Sequence, residues 1–277
     1  MPGLSGCPDR HCTLAHGGVP LFQTRFSVIR DDSLAPAPES TWFTDNEESG
    51  ESCRQLIRDH PLTSAHIHIW EFRVFPGSDG IEHQVERPSA RESGHYHQGS
   101  PLDRDRMPFR IHIQRTLAGY LGCGPSEIRI SHGKNGQPLL RNLLHPYQFS
   151  LSYTHGKGIL ALSRECFIGV DVEYVQDNPR LLAIAERFFH PAEWNRIRSL
   201  PHSERKQVFF ELWTLKEAYL KVIGTGWSGW RHLPDMAGFI GNAAAATPGP
   251  IELPGPYRAW VWMEGACCQA LVSSRRS

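Results

Sequence analysis

The most regular hydrophobic pattern in the chain lies between Glu204 and Ile223. Within it, apolar residues recur at alternating steps of four and three, the spacing that places side chains on one face of an α-helix. These residues are Val208, Leu212, Leu215, Tyr219 and Val222. No glycine or proline interrupts the stretch, and Gly224 follows it directly. The pattern predicts a long helix that buries one apolar face and ends at Gly224.

Shorter apolar or alternating segments predict strands elsewhere in the chain. They cover residues 65–75, 147–155, 158–163, 166–175, 257–264 and 266–274. Helices are predicted over Arg106–Leu121, with Pro108 in the first turn, and over Arg180–Phe189, and a further helix opens at Pro191. Strands and helices therefore occur twice in a similar order, which favours an α+β fold of two comparable halves.

Residues 1–62 show little hydrophobic periodicity and are rich in proline, serine, glycine and acidic residues. This composition predicts a poorly ordered N-terminal extension. We therefore expect a chain that begins near Pro61 to fold and to remain active. A second polar segment, residues 76–101, is broken by glycine and proline and is predicted to be a long loop.

The composition is that of an ordinary globular protein and does not indicate a charged partner. The chain has 277 residues, of which 40% are hydrophobic and 21% charged, as in ordinary globular proteins. Lysine plus arginine equals aspartate plus glutamate at 29 each, so the charge balance predicts neither nucleic acid nor membrane as partner. No apolar run approaches the roughly 20 residues that span a bilayer. Seven irregularly spaced cysteines and no apolar signal-peptide core at the start predict a cytoplasmic protein.

Two groups of residues resemble metal ligands only weakly. One follows the spacing C-x3-H-C-x3-H, which is not a common structural zinc pattern, and consists of Cys7, His11, Cys12 and His16. The other is the pair His66 and His68 on one face of a predicted strand, where exposed or hydrogen-bonded histidines are the simpler interpretation. Neither group is predicted to bind a metal.

The strand predicted over residues 166–175 carries two carboxylates on one face. Asp171 and Glu173 lie two residues apart, or about 7 Å between their Cα atoms in a strand. Such a pair is unfavourable unless it is solvated, shares a proton or binds a cation. One interpretation is the polar outer face of a half-exposed strand. Alternatively, the two carboxylates and Glu217 of the predicted helix together hold Mg²⁺, which prefers oxygen ligands and takes phosphate oxygens as well.

Lys216 and Lys221 lie next to Glu217 in the same predicted helix. The simplest interpretation is a pair of Glu217 and Lys221 on the helix surface, which contributes about 0.2–0.5 kcal/mol. Alternatively, the lysines neutralise a phosphate or protonate a leaving oxygen beside a bound cation. Spacing alone leaves both interpretations open, because it does not establish that the strand and the helix meet.

Two motifs resemble those of a known family. "IGVDVE" at residues 168–173 and "LWTLKEAYLK" at residues 212–221 are similar to the signature of the 4′-phosphopantetheinyl transferases. The match is best to the surfactin-synthetase-activating type, in which one chain holds two pseudo-symmetric halves. "IAERFFHPAEW", "GQPLL" and "FSLSYT" resemble further blocks of the family. The resemblance covers about residues 63 to 275 and omits the extension.

The resemblance implies an α+β fold and an activity. Each half would be a small, mostly antiparallel sheet packed on helices, with residues 63–165 and 166–277 as the halves and the active site at their interface. The reaction would transfer the 4′-phosphopantetheine arm of coenzyme A to a serine of an apo acyl or peptidyl carrier protein, or of a carrier domain of a synthase. It would need Mg²⁺ and would release 3′,5′-ADP. The protein is expected to act as a monomer.

The resemblance also implies roles for individual residues. The metal ligands would be Asp171, Glu173 and Glu217. Glu217 would also help to deprotonate the carrier serine, and Lys221 would stabilise or protonate the leaving phosphate. The contacts to coenzyme A would be Arg106, Pro138, Ser152, Tyr153, Thr154 and Lys216.

Two positions depart from the family pattern. Gln137 stands where the family commonly has lysine, and Tyr153 stands where it commonly has a histidine that contacts the 3′-phosphate of coenzyme A. Lys134 and His155 are candidates to compensate, the latter on the same strand face as Tyr153. Two other functions therefore stay open: a Mg-dependent hydrolase of coenzyme A or nucleotide diphosphates, and a degenerate module that binds coenzyme A or carrier protein without catalysis.

Overall fold

The computed structural model describes the backbone of residues 22–30, 42–45, 50–63, 66–74, 101–141, 145–239 and 251–275. Side chains are described for 53–63, 66–72, 109–141, 145–239 and 251–274. The helices are α1 (Gly50–Asp59), α2 (Pro101–Leu121), α3 (Leu181–Phe188), α4 (Pro191–Ser199) and α5 (His202–Ile223). The strands are β1 (Phe22–Arg30), β2 (Trp42–Asp45), β3 (His66–Val74), β4 (Arg129–His132), β5 (Pro138–Arg141), β6 (Gln148–Thr154), β7 (Lys157–Ser163), β8 (Cys166–Tyr174), β9 (Ile251–Leu253), β10 (Tyr257–Glu264) and β11 (Cys267–Arg275).

The strands form two larger antiparallel sheets and one hairpin. The first sheet has the order β2-β1-β3-β7-β6, the second has the order β8-β11-β10-β9, and β4 pairs with β5. Helices pack against both sheets, which confirms the predicted α+β class. The chain passes from the first sheet to the second between Ser163 and Cys166, where the predicted boundary between the halves also falls. Pseudo-symmetry of the halves stays a prediction.

Helix α5 ends where predicted and begins slightly earlier than the predicted stretch, at His202. Its last turn closes at Gly224, whose φ of 71° is left-handed and whose N–H donates to the Leu220 carbonyl; glycine adopts this conformation at little cost. The apolar face packs on the second sheet in a core that includes Leu212, Leu215 and Ala218. The sequence pattern therefore identified both the helix and its buried face.

Gly169 of β8 allows α5 to lie directly on the second sheet. A Cβ at this position would come within 2.0 Å of the Ala218 carbonyl oxygen and 2.9 Å of the Val222 nitrogen. Since these are backbone atoms of α5, no side-chain rotation could relieve the overlap. The glycine therefore fixes how closely the helix approaches β8 and, with it, the neighbouring Asp171.

Three described segments inside the predicted N-terminal extension have regular secondary structure, namely residues 22–30, 42–45 and 50–59. Strands β1 and β2 extend the first sheet beyond β3, and α1 places Leu56 and Ile57 against the core beneath that sheet. Hydrophobic periodicity missed α1 because few of its described side chains are apolar and pack on that core, namely Cys53, Leu56 and Ile57. Helix α2 also begins earlier than predicted, at Pro101, so Pro108 lies beyond its first turn. The predicted loop over 76–101, apart from Pro101 at the start of α2, and the group from Cys7 to His16 lie outside the described residues.

The two sheets share a core and meet edge to edge. Ile69 and Ile159 of the first sheet pack with Val170, Val172 and Leu271 of the second. At one end of this core, the Lys157 ammonium lies 2.5 Å from a Glu264 carboxylate oxygen and 3.5 Å from Glu71. Hydrophobic packing and a buried ion pair thus join the sheets. Among the described helices, none is long and apolar enough to span a membrane.

Side-chain hydroxyls connect the edge strands β6 and β8. Ser150, Ser152 and Thr154 alternate along β6, and their oxygens accept from the backbone N–H groups of Val170, Val172 and Tyr174 at 3.1, 3.3 and 3.3 Å. We call these three contacts the hydroxyl ladder. It satisfies N–H groups that an edge strand would otherwise expose, and it fixes β6 relative to the carboxylates of β8.

Candidate active site

Asp171 lies at the meeting point of β6, β8 and α5. Its Oδ1 accepts from the Lys221 ammonium and from the Ser152 hydroxyl, both at 2.8 Å. Its Oδ2 is buried and has no hydrogen-bond partner. Only 5% of the residue is exposed, so the interpretation of a half-exposed polar strand face is wrong at this position. A buried carboxylate oxygen without a partner is costly, and a bound cation would remove that cost.

Lys221 joins all three elements rather than pairing with Glu217. Its ammonium donates to the Leu151 carbonyl of β6 at 3.2 Å and to the Val170 carbonyl of β8 at 2.7 Å, in addition to Asp171. The three donors of the ammonium thus have three acceptors. The surface pair of Glu217 and Lys221 is therefore not the arrangement that the chain adopts.

Two stacked indoles hold the other two carboxylates. The Trp213 indole N–H donates to Glu173 Oε1 at 3.2 Å, and the Trp227 indole N–H donates to Glu217 Oε1. The two rings stack on each other with centroids 4.5 Å apart. Sequence reasoning assigned no role to either tryptophan, although Trp213 lies within the recognised motif. Trp227 belongs to a 3-10 turn after α5, and no local pattern connects it with Glu217.

The three carboxylates affect one another electrostatically. Burial raises the pKa of Glu173 from 4.5 to about 7, and the charges of Asp171 and Glu217 add to the rise. Burial and then the Asp171 charge also raise the pKa of Glu217. Both shifts mean that the negative forms are disfavoured in this cluster. A divalent cation would favour them, because it brings compensating charge.

These residues offer the type of ligand atom that suits a metal ion, but their side chains are not arranged around a common point. Within the described ranges, no three histidine, cysteine, aspartate or glutamate side chains are arranged as a group that could hold a metal ion. The glutamates are turned to the indoles instead of converging with Asp171. However, the mutual destabilisation of the carboxylates and the buried Asp171 Oδ2 suit a hard cation with oxygen ligands. The assignment of Asp171, Glu173 and Glu217 as metal ligands stays a prediction.

Lys216, which is predicted to contact coenzyme A, lies among protein groups in the structure. Its side chain is completely buried, lies 2.8 Å from Glu193 Oε2 and faces the ring of Phe189. Glu193 in turn accepts from the His190 and Met236 N–H groups. Neighbouring helical residues point about 100° apart, so Lys216 faces α4 while Glu217 faces Trp227. Lys216 therefore balances a buried charge in the core.

Three residues of β6 are predicted to contact coenzyme A, and they lie on opposite faces of this strand. Ser152 and Thr154 belong to the hydroxyl ladder and face β8. Tyr153 lies on the opposite face, with its ring centroid 5.1 Å from that of Phe109. The prediction that His155 lies on the same strand face as Tyr153 is wrong, because the strand ends at Thr154. With φ of 36° His155 forms a two-residue turn with Gly156 (φ 75°), typical of a type I′ hairpin, and its ring packs on Tyr174.

The "GKNGQP" turn lies near the C-terminal end of α5. Asn135 Nδ2 donates to the Gly224 carbonyl at 2.7 Å, and Pro138 starts β5 just beyond the turn. Lys134 and Gln137 are exposed. Arg106 lies within α2, but its side chain is outside the described residues. The roles of Pro138 and Arg106 in binding coenzyme A stay predictions.

Comparison with known proteins agrees with the chemistry of this site. A profile described as the 4′-phosphopantetheinyl transferase superfamily matches residues 167–260. The chain is 31% identical over 169 residues to the 4′-phosphopantetheinyl transferase HetI of Nostoc sp., which covers 60% of this chain and 71% of that relative. The chain belongs to the 4′-phosphopantetheinyl transferase superfamily. The resemblance of the motifs and the predicted enzyme class are thereby confirmed.

Other members of the superfamily match over shorter stretches. A putative 4′-phosphopantetheinyl transferase of Synechocystis sp. is 36% identical over 132 residues, or 47% of this chain and 53% of the relative. The 4′-phosphopantetheinyl transferase psf-1 of Bacillus pumilus is 31% identical over 132 residues, or 44% and 55%. The chain thus spans about half the length of these two transferases. The superfamily match includes β8 and α5, which carry all three carboxylates and Lys221.

Proposed function

We propose that this protein transfers the 4′-phosphopantetheine arm of coenzyme A to a serine of an apo acyl or peptidyl carrier protein, with Mg²⁺ held by Asp171, Glu173 and Glu217. The serine oxygen forms a bond to the phosphorus that bears the pantetheine arm. The bond from that phosphorus to the oxygen of the leaving nucleotide breaks, and 3′,5′-ADP departs. The metal, when bound, supplies positive charge that stabilises the diphosphate oxygens.

The observation that best supports this proposal is the buried, unpartnered Oδ2 of Asp171 beside two further carboxylates. Such a cluster is unfavourable in the folded protein unless it binds a cation. Membership of the transferase superfamily supports the same reaction. A partly buried cluster of three carboxylates argues against the degenerate, non-catalytic module, in which such charges would be costly and would have no use.

The chain's own residues supply the remaining parts of the reaction. We assign Glu217 as the base that takes the serine proton, since burial and the Asp171 charge raise its pKa towards neutrality, where a general base works best. Lys221 brings positive charge to the same place, next to Asp171 and at the junction of both sheets. We assign it to the developing charge on the leaving phosphate.

We propose further that the protein acts as a cytoplasmic monomer. Ser152 of the first sheet and Asp171 of the second meet within one chain, so the proposed site needs no residue from a second copy. Cys123 and Cys268 are free thiols, which is in keeping with a reducing compartment.

The proposal is tested by incubating the protein with coenzyme A, Mg²⁺ and a panel of apo carrier proteins and weighing each carrier by mass spectrometry. Addition of the phosphopantetheine arm, with stoichiometric 3′,5′-ADP, is the expected result. Loss of coenzyme A without a carrier adduct would instead indicate hydrolysis. Retention of activity in excess EDTA would contradict the role of the metal.

A further inference from the structure

Ser152 lies at the interface between the two sheets and contacts Asp171 of the candidate metal site. It is 8% exposed and lies on β6, the edge strand of the first sheet. Its oxygen accepts from the Val172 N–H at 3.3 Å, and its hydroxyl donates to Asp171 Oδ1 at 2.8 Å. One side chain of the first sheet therefore orients a carboxylate of the second.

The other members of the hydroxyl ladder lack this second contact. Ser150 is 4% exposed, and its oxygen accepts from the Val170 N–H at 3.1 Å, but among the described residues it donates to no carboxylate. Thr154 contacts Tyr174 N–H and the His155 ring. Ser150 and Ser152 thus make the same link between the sheets, and the hydrogen bond to Asp171 distinguishes them.

We propose that Ser152 is a positioning residue for Asp171 rather than a contact to coenzyme A. Ser152 and Lys221 both donate to Oδ1, one from β6 and the other from α5. Together they fix the rotation of the carboxylate and leave its buried Oδ2 without a partner, available to a cation. This inference rests on the proposed function, because it takes Asp171 as a metal ligand.

The hydrogen bond from Ser152 to Asp171 links the orientation of a proposed metal ligand to the packing of the two sheets. Since Ser152 belongs to the first sheet and Asp171 to the second, the orientation of the ligand depends on how the sheets are joined. Groups that orient a metal ligand in this way typically change metal affinity by about 10- to 100-fold when they are removed. Loss of the Ser152 hydroxyl should therefore weaken metal binding by a factor in that range.

The test measures binding of Mn²⁺ alone, as a stand-in for Mg²⁺ with similar oxygen ligands, from the loss of the free-ion signal in electron paramagnetic resonance. Ser152→Ala should weaken binding by about 10- to 100-fold, whereas Ser150→Ala should bind like the wild type. Both variants remove one link of the ladder and should lower the melting temperature similarly. Ser152→Thr keeps the hydroxyl and should restore affinity.

Wild-type affinity in Ser152→Ala, or an equal loss in Ser150→Ala, would overturn the inference. If Ser152→Ala does not fold, Ser152→Cys provides the test, since a thiol keeps the shape of the side chain but donates weakly; it should also lose affinity, and wild-type binding would overturn the inference. Asp171→Ala separates this inference from the proposed function. If that variant binds Mn²⁺ like the wild type, the metal assignment itself fails. If Asp171→Ala does not bind Mn²⁺ while Ser152→Ala binds it with wild-type affinity, only the role of Ser152 fails.

Discussion

Replacing Glu173 by glutamine should stabilise the metal-free protein, and increasingly so as the pH rises. The pKa of Glu173 is raised from 4.5 to about 7, chiefly by burial. The folded protein therefore binds this proton more tightly than the unfolded chain does. Between pH 4.5 and about 7, the folded state holds more protons, so the free energy of unfolding falls as the pH rises through this window. Below it both states are protonated, and above it the penalty is complete.

The size of the effect follows from the shift. Each pKa unit corresponds to about 1.4 kcal/mol, so a rise from 4.5 to about 7 predicts a penalty of about 3 kcal/mol at pH 8. Glutamine has no charge to lose and keeps an oxygen that accepts from Trp213. The advantage of Glu173→Gln over the wild type should therefore grow by about 3 kcal/mol between pH 4.5 and pH 8.

The assay is urea unfolding followed by circular dichroism in EDTA, at constant ionic strength and at several pH values from 4.5 to 8. Glu186→Gln is the matched control, because Glu186 is an exposed glutamate on α3 and its removal should give a curve parallel to the wild type. If the difference between Glu173→Gln and the wild type stays constant across this range, the carboxylate cluster does not carry the electrostatic cost that we infer.

Four further changes test the fold and the site. Gly169→Ala should cost about 2–3 kcal/mol of stability, because the new Cβ meets backbone of α5; Gly238→Ala, with open space around it, is the control and should change little. Lys216→Met should cost about 3–5 kcal/mol, since it leaves a buried charge unpaired, and should leave the KM for coenzyme A unchanged. Asp171→Ala should abolish transfer while the protein stays folded. Deletion of residues 1–60 should lower the melting temperature, because it removes α1, β1 and β2.

For each of these variants, a different result would contradict the reasoning. If Gly169→Ala and Gly238→Ala are equally stable, α5 does not depend on close contact with β8. A raised KM with unchanged stability in Lys216→Met would restore this lysine to the coenzyme A site. Near-normal transfer by Asp171→Ala with Mg²⁺ would refute the metal assignment. An unchanged melting temperature after the deletion would support the original expectation of a dispensable extension. Thermal unfolding and steady-state kinetics on the same samples give all of these readouts.

The sequence by itself determined the local structure that carries the site. The spacing of Val208, Leu212 and Leu215 predicted α5 and its buried face, and Gly224 marked its end, because helical periodicity and a left-handed cap are local properties. Alternation along β8 likewise placed Asp171 and Glu173 on one face. The family motifs then connected these two elements with phosphopantetheinyl transfer, which the relatives confirm as the enzyme class.

Only the tertiary structure decided which partners these side chains meet. Lys216 and Lys221 look equivalent in the sequence, yet one neutralises Glu193 in the core and the other connects both sheets beside Asp171. Their surroundings differ because the two lysines point to different sides of α5, about 140° apart, and the side that carries Lys221 lies against Gly169 of β8. Periodicity likewise does not predict the hydrogen bond that Ser152 donates to Asp171 across the sheets. Local patterns specify the direction of a side chain within its own element, whereas the partner depends on how separate elements pack.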